Sequence, residues 1–451
     1  VKKSISVILF SMLFSFGAFS QSRSNGCNCI LPITSYFNVA PMTQGPDIGI
    51  APYYLNDNAA TPGIALPFNF CFYGQNVDSV YISNNGIISF NHPIYNFLTA
   101  GGFPLGTDSM MIAPFYADVD NRNGGGPVYY EITPTYMVVR WDSVRYVGTD
   151  VDGSDNFQLI ISDGNDPILP NGNNVSFCYG YVQWACADAS GGYSGYDGIP
   201  AIVGINKGNG VDYAQLATFS VPGGVFYGPY DPYNGLDWLN FKSFMFNSCV
   251  SGNNIAPVAF NFKTSCNVIE GCPGDTFNVT TSFLCSGQGQ TVTFSAGYSG
   301  PTSISVFDTT SNTNGIDSIV LQLIPAATDT GTYILTINAT DNSLPPLIST
   351  LTYNVVVNNC YNLGIPEQEM NSGYSVYPNP ANGNFTVEIN NQETMGTVEA
   401  KVYDILGIET YSSELKSSKS IIDLSDKSKG MYFLKLFNNF SQVIVQKIII
   451  Q

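Results

Sequence analysis

Residues 174–219 read NVSFCYGYVQWACADASGGYSGYDGIPAIVGINKGNGVDYAQLATF, and how this stretch is read decides the fold. β-Branched and aromatic residues fill 175–184, a Gly/Ser/Tyr loop follows, 201–205 is a short apolar run, Gly208, Asn209 and Gly210 make a turn, and 213–219 is a third run. Runs of this composition between turn residues predict β-strands, since helical apolar residues would recur every three or four positions. The same texture continues outward at 66–73, 80–90 (with Asn85 and Gly86 as a hairpin turn), 128–132, 136–147 and 156–162. Short strands separated by Gly, Asn, Asp or Pro at intervals of about ten residues predict an all-β sandwich or barrel.

Composition points the same way. The 451 residues include 44 Gly and 26 Pro, 13% are aromatic and only 11% are charged, so turns are frequent and Tyr, Asn, Ser and Thr must supply the polar surface. The length suits roughly two to four domains, each able to bury a core of its own. Thirty-four acidic residues against 16 basic ones give a formal net charge of −18, which repels a phosphate backbone and excludes nucleic acid as a partner. A moderately acidic balance also keeps a sparsely charged surface soluble.

Ten cysteines accompany a single histidine, and none are spaced as Cys-x2-Cys metal ligands. Cys27, Cys29, Cys71, Cys178, Cys186, Cys249, Cys266, Cys272, Cys285 and Cys360 are therefore disulfide candidates, which calls for an oxidising compartment. Cys178 and Cys186 stand eight residues apart, roughly 26 Å on an uninterrupted strand. A bridge needs Cα atoms within about 7 Å, so these two should not pair, and Cys71 is the preferred partner for Cys178.

The N-terminus agrees with that compartment. Lys2 and Lys3 precede an apolar run over 5–19, and Ala18 and Ser20 are small residues before Gln21, the pattern of a secretory signal peptide over 1–20. The run is too short for a membrane anchor and no later segment is long enough, so the mature chain is expected to lack a transmembrane span.

The opening stretch, VYISNNGIISF at 80–90, MIAPFYADVD at 111–120, NFQLIISDG at 156–164 and DWLNFKSFMFNSC at 237–249 together resemble the nidogen extracellular (NIDO) domain. That resemblance spans 21–250 and implies an extracellular, non-catalytic module. Residues 251–255 read as a polar linker opening a second unit over 256–360. In GTYILTINATDN at 331–342, Tyr333, Leu335, Ile337 and Ala339 alternate as on a half-buried strand, with further strands at 317–324 and 347–357. This unit resembles the immunoglobulin-like or cadherin-like repeats of bacterial surface proteins.

Residues 361–373 lack alternation, carry Pro366, Glu367 and Glu369, and read as an exposed linker. Beyond them, YPNPANGNFTVEI at 377–389, AKVYDILGIE at 400–409, IIDLSDKSKGMYFLKLF at 421–437 and the final VIVQKIIIQ resemble the C-terminal sorting domain of the type IX secretion system. Tyr377, Pro378, Asn379, Pro380, Gly430 and Tyr432 carry the motif. The resemblance implies a small β-sandwich over 374–451, the type IX secretion machinery as a partner, passage to the outer cell surface of a Gram-negative bacterium, and loss of the tail there.

Catalytic chemistry finds little to build on. His92, the only histidine, sits in an Asn-His-Pro turn where a base has no evident partner. Asp118 and Asp120 share a face if extended, and Asp150, Asp152 and Asp155 cluster in a loop, so a two-carboxylate glycosidase site is conceivable. The same five aspartates are the candidate calcium ligands, calcium being the one cofactor the reading admits. Neither loop fits an EF-hand: Arg122 takes the third ligand position of one, and the other lacks the glycine after its third ligand. Tyr179, Tyr181, Trp184, Tyr193 and Tyr196 suggest an aromatic platform for a sugar or protein. Tyr179 and Tyr181 would share one strand face opposite Trp184, so one set belongs to the core, leaving Tyr193 and Tyr196 as the binding candidates. The expectation is a non-enzymatic, surface-displayed adhesion or matrix-like protein meeting a surface protein or glycan, or copies of itself. The alternative is a surface hydrolase or carbohydrate-binding accessory protein.

Overall fold

The computed structural model describes residues 29–97, 101–148, 153–250, 252, 254–260 and 267–360 apart from 288, 302–303, 312–313 and 327, then 374–451 apart from 390–397 and 439–440. The proposed signal peptide, Cys27, Asp150, Asp152, Cys266 and the proposed linker therefore lie outside the described residues. The chain divides into two compact units, residues 1–359 and 360–451.

Among the described residues, the first unit is built from three sheets. A ten-stranded sheet runs Asn38–Val39, Val128–Ile132, Tyr136–Val144, Asp155–Ser162, Val175–Tyr179, Ser243–Phe246, Val258–Phe260, Phe277–Leu284, Ile316–Leu323, Ser305–Ser311. A six-stranded sheet runs Tyr213–Phe219, Ala201–Asn206, Met111–Tyr116, Ile87–Ser89, Gln75–Ser83, Ile64–Phe72. A four-stranded sheet runs Val268–Gly271, Ile348–Val357, Gly331–Asp341, Val292–Tyr298.

The central strands of the large sheet bury both faces. Val139, Trp141, Phe157, Leu159 and Ile161 enter one core with residues of the six-stranded sheet, including Ile82, Ile112, Phe115 and Val203. Val138, Ile160, Met245 and Ala259, on the opposite face, enter a second core with Phe283, Leu321, Leu335, Ile337 and Val355. Side chains alternate across a strand, so one sheet can be shared between two cores only if both residue sets are apolar. In Asp155–Ser162, Phe157, Leu159 and Ile161 serve the first core and Ile160 the second, and the buried Gln158 on Ile160's face accepts the Leu31 amide at 3.0 Å.

The sharing corrects the separation expected at 251–255. Val258–Phe260 pairs with Ser243–Phe246 on one side and Phe277–Leu284 on the other, so the sheet crosses that polar stretch unbroken. The strands that follow residue 256 thus extend the sheet of the first sandwich within one compact unit.

The disulfides also differ from expectation. Cys178 bonds Cys29 and Cys71 bonds Cys249, with Cα separations of 5.8 Å and 5.0 Å. The carbonyl of Cys71 accepts from the Asn174 side-chain amide at 2.7 Å, which fixes Cys71 beside the start of the Val175–Tyr179 strand. Cys178 lies four residues further on, roughly 13 Å away along a strand, beyond disulfide reach. Cys272 and Cys360 are also disulfide-bonded. Cys186 and Cys285, named above as candidates, are buried free thiols. Cys178 and Cys186 do not pair, but the strand ends at Tyr179, so the uninterrupted strand assumed for them is absent.

The second unit is a small sandwich. A three-stranded sheet runs Tyr374–Tyr377, Asn384–Ile389, Lys419–Asp423, and a four-stranded sheet runs Glu409–Leu415, Val398–Tyr403, Gly430–Asn438, Ser441–Ile450. Phe385, Val387 and Ile389 from one sheet meet Tyr432, Leu434 and Leu436 from the other in a single core. The strict alternation in these strands follows from having one buried face each.

Candidate functional site

Two features of the first unit carry chemistry that its core does not require: a knot of aspartates around one arginine, and an exposed aromatic ledge.

The knot begins where the Met111–Tyr116 strand runs out into Ala117-Asp118-Val119-Asp120. Backbone bridges join Asp57 to both Asp120 and Asp47, bringing a distant loop alongside. Arg122 grips Asp120 with two bonds, Nε to Oδ1 at 2.9 Å and a terminal nitrogen to Oδ2 at 3.0 Å. It also donates to Asp57 at 2.7 Å and to Asp47 at 3.4 Å. Asp57, Asp118 and Asp120 are all buried, whereas the Arg122 side chain is 45% exposed. One guanidinium thus serves three carboxylates, and among the described residues the Asp118 side chain is left with a 3.4 Å bond from the Ser190 hydroxyl.

The electrostatic result is direct. Burial, reinforced by the charge of Asp57, pushes the Asp118 carboxyl up to about 7. Burial, reinforced by Asp120 and opposed by Arg122, pushes Asp57 up to about 6. Oδ1 of each has no hydrogen-bond partner among the described residues. Arg122 itself is held more firmly protonated, chiefly by its bond to Asp120. The third ligand position of the supposed calcium loop is therefore filled by a built-in cation. Asp47 and Asp57 were missed by sequence reasoning, because no local motif ties them to Arg122, 75 and 65 residues away.

A stability prediction follows. Asp57 and Asp118 hold protons more tightly folded than at the ordinary value of 3.8, so the folded state binds extra protons from about pH 4 to 7. Their contribution to stability is present at low pH and is lost as pH rises through that window. Asp118→Asn keeps the shape and removes the charge, so it should stabilise the first unit by about 1–3 kcal/mol at pH 8 and do little at pH 4. Thermal unfolding of variant and wild type at both pH values checks this; a gap independent of pH defeats it.

Asp155 does not join the knot. It is fully buried, and its Oδ1 accepts the backbone amides of Gln183 at 2.6 Å and Trp184 at 3.3 Å, pinning the chain just after the Val175–Tyr179 strand. Burial raises its pKa well above the carboxylate range. Among the described residues, no three His, Cys, Asp or Glu side chains are grouped to hold a metal ion. His92 is exposed, its Nδ1 3.2 Å from the Pro93 carbonyl oxygen.

The aromatic residues separate differently from the expected strand faces. Tyr179 is buried and its hydroxyl donates to the Pro114 carbonyl at 2.6 Å; Trp184 is buried and its indole donates to Val144 at 3.1 Å. Tyr181 is 61% exposed, because the strand ends before it. Its ring meets that of Phe241 edge-on, with centroids 4.6 Å apart, and Phe241 is itself 53% exposed. Phe241 adopts φ +60°, a left-handed backbone that a bulky residue rarely tolerates, so its outward ring comes at a conformational cost. Tyr196 is held in place, its hydroxyl donating to the Gln183 carbonyl at 2.8 Å, while Tyr193, paired with it through the backbone, is 75% exposed. Of the two tyrosines expected to bind, Tyr193 is the free ring, and the Tyr181–Phe241 pair was overlooked.

In the second unit the motif residues make the fold's joints. The Asn379 side chain donates to the Lys447 carbonyl at 2.6 Å and accepts from the Ile449 amide at 2.9 Å, fastening the 377–380 turn to the last strand. The hydroxyls of Tyr377 and Tyr432 donate to Glu388 at 2.6 Å and the Ser428 carbonyl at 2.7 Å. Pro378 and Pro380 follow cis peptide bonds, and Gly430 opens the Gly430–Asn438 strand.

Comparison with known proteins divides the chain at the same features. Residues 36–222, which include the aspartate knot, match the family model described as NIDO related; residues 375–451 match the secretion system C-terminal sorting domain. Alpha-tectorin from Mus musculus is 30% identical over 196 residues, covering 37% of this chain and 8% of that protein. Nidogen-1 from Mus musculus is 26% identical over 199 residues, covering 36% of this chain and 15% of that protein. The chain thus spans less than a sixth of the length of these relatives. A crystal structure of dimeric latent PorU from Porphyromonas gingivalis matches at 14% identity over 66% of this chain and 31% of that one, with a TM-score of 0.15 that carries no argument. From the two family matches and the all-β sandwiches that underlie them, the chain carries a nidogen-related domain over 36–222 and a type IX secretion system C-terminal sorting domain over 375–451.

Proposed function

We propose that this secreted chain, exported through the type IX system, acts without catalysis as an adhesion or matrix-like protein on the outer surface of a Gram-negative cell. The observation that carries the reading is the Tyr181–Phe241 pair: two large rings held out into solvent, one at the expense of a left-handed backbone. Exposed, rigid aromatic rings give large contact area at low entropy cost, which suits recognition of a glycan or protein surface. The acidic residues support the same reading. Asp120 and Asp57 are tied to Arg122, Asp155 to two backbone amides, and Asp118 is too deeply buried to meet a substrate.

Arrays of surface glycans and extracellular proteins, probed with the purified chain and scored for both binding and cleavage, test the proposal. Binding without turnover is expected, and Tyr181→Ala should weaken it about tenfold, the loss of one well-placed aromatic anchor. Cleavage of any substrate on the array would favour the hydrolase reading, and binding indifferent to Tyr181 would remove the ledge from the argument.

A further inference from the structure

Four strands end the four-stranded and ten-stranded sheets of the first unit, two more end its six-stranded sheet, and sheet edges of this kind invite pairing with another chain. Most are guarded. Asn38–Val39 is two residues long and Val268–Gly271 four, with Glu270 among them. Ser305–Ser311 carries Asp308 and a register shift, and Ile64–Phe72 carries Pro67 and another. Tyr213–Phe219 and the residue after it are covered by the 229–232 loop, whose carbonyls accept from Gln215, Thr218 and Ser220. Val292–Tyr298 has none of these devices: its sequence VTFSAGY holds no charge and no proline, and its register with Gly331–Asp341 is unbroken over all seven residues.

The direction of its free backbone groups can be read from its neighbours. The amide of Val292 points away from the sheet, donating to the Asp317 carboxylate at 2.9 Å, while the amide of Ser299 points inward to Ile334 at 2.9 Å. In an antiparallel strand these directions alternate, so Thr293, Ser295 and Gly297 bond the neighbouring strand. Phe294, Ala296 and Tyr298 then present their N–H and C=O groups to the open edge. Their side chains face the core yet remain half-buried, as expected where the next strand of the sheet is missing. Thr293, Ser295 and Gly297 are exposed on the other face, and a Cβ at Gly297 would meet nothing within 4 Å.

We propose that this edge pairs antiparallel with the same strand of a second copy of the chain, about a two-fold axis through Ala296. The strand is complementary to itself in that arrangement. Ala296 faces Ala296 and Phe294 faces Tyr298 twice, an aromatic cross-strand pair on each side of the axis; Gly297 lies opposite Ser295, so the exposed face is uncrowded. The bonding groups of 294, 296 and 298 meet their counterparts in register. The strand itself carries no charge and the Asp317 carboxylate at its Val292 end is already bound to a backbone amide, so two chains of net charge −18 meet along neutral residues in an isologous contact of the commonest symmetry. A single strand pair buries little area, so the dimer is weak in dilute solution and strengthened by crowding at a surface.

Two measurements on the full chain test this. Sedimentation should show a monomer–dimer equilibrium, and Ala296→Pro, which removes an outward N–H and no bond to the neighbouring strand, should weaken it at least about tenfold while keeping the thermal midpoint. The second measurement keeps every backbone N–H and uses register: an equal mixture of Ser295→Cys and Gly297→Cys chains should form disulfide dimers under mild oxidation, since these positions face each other. Each variant alone should form at least about tenfold fewer. A monomer at every concentration, or single-variant controls that cross-link as readily as the mixture, overturns the proposal.

Discussion

Replacing Cys71 and Cys249 together by alanine is expected to cost the first unit about 4–5 kcal/mol, measured as the shift in urea unfolding between the oxidised wild type and the double variant. The bond closes a loop of 178 residues, and the chain entropy it withholds from the unfolded state grows with the logarithm of loop length. The two ends also stitch different sheets. Cys71 belongs to Ile64–Phe72 of the six-stranded sheet, and Cys249 follows Ser243–Phe246 of the ten-stranded one. Asn174 and Ser248 reinforce the seam: both donate to the Cys71 carbonyl, and the Tyr73 amide donates to Ser248. Cys186→Ala, by contrast, removes one buried sulfur and no cross-link, and should cost no more than about 1–2 kcal/mol. If the two replacements destabilise equally, the disulfide is not what holds the seam.

Deleting residues 374–451 is expected to abolish delivery to the cell surface, with the product retained in the periplasm and detected there by fractionation. The deleted segment has a core of its own, in which Phe385, Val387, Leu434 and Leu436 are almost wholly buried, and it contains no cysteine. Removing it therefore cuts none of the packing described for the first unit. A point variant separates folding of the tail from its mere presence. Leu434→Asp puts an unpaired carboxylate where no solvent reaches, at a cost of several kcal/mol to a small sandwich, and should mimic the deletion if the machinery reads the folded tail. Normal surface amounts of the deletion product would refute the sorting role; normal delivery of the point variant alone would mean that an unfolded tail suffices.

The tail was also the part most legible in the sequence. Each of its strands buries one face, so Phe385, Val387 and Ile389, and likewise Tyr432, Leu434 and Leu436, alternate with polar residues in plain view. In the first unit many strands were readable too, because turn chemistry at Asn85-Gly86 or Gly208-Asn209-Gly210 acts locally, but the strand expected over 175–184 stops at Tyr179 and Phe277–Leu284, Val292–Tyr298 and Ser305–Ser311 were not foreseen. What lay beyond the sequence was which sheets share a core. Phe157 and Ile160 are both apolar and both buried, but only the fold sends one to the nidogen-like core and the other to the core beneath the following strands. The pairing of Cys178 with Cys29, the capture of Asp47 and Asp57 by Arg122, and the meeting of Tyr181 with Phe241 are of the same kind. Composition and periodicity record what a residue does to its own backbone and its nearest neighbours. Contacts between groups 60 to 149 residues apart are set by how sheets stack and where a strand stops, and those follow from the free energy of burying all the faces at once.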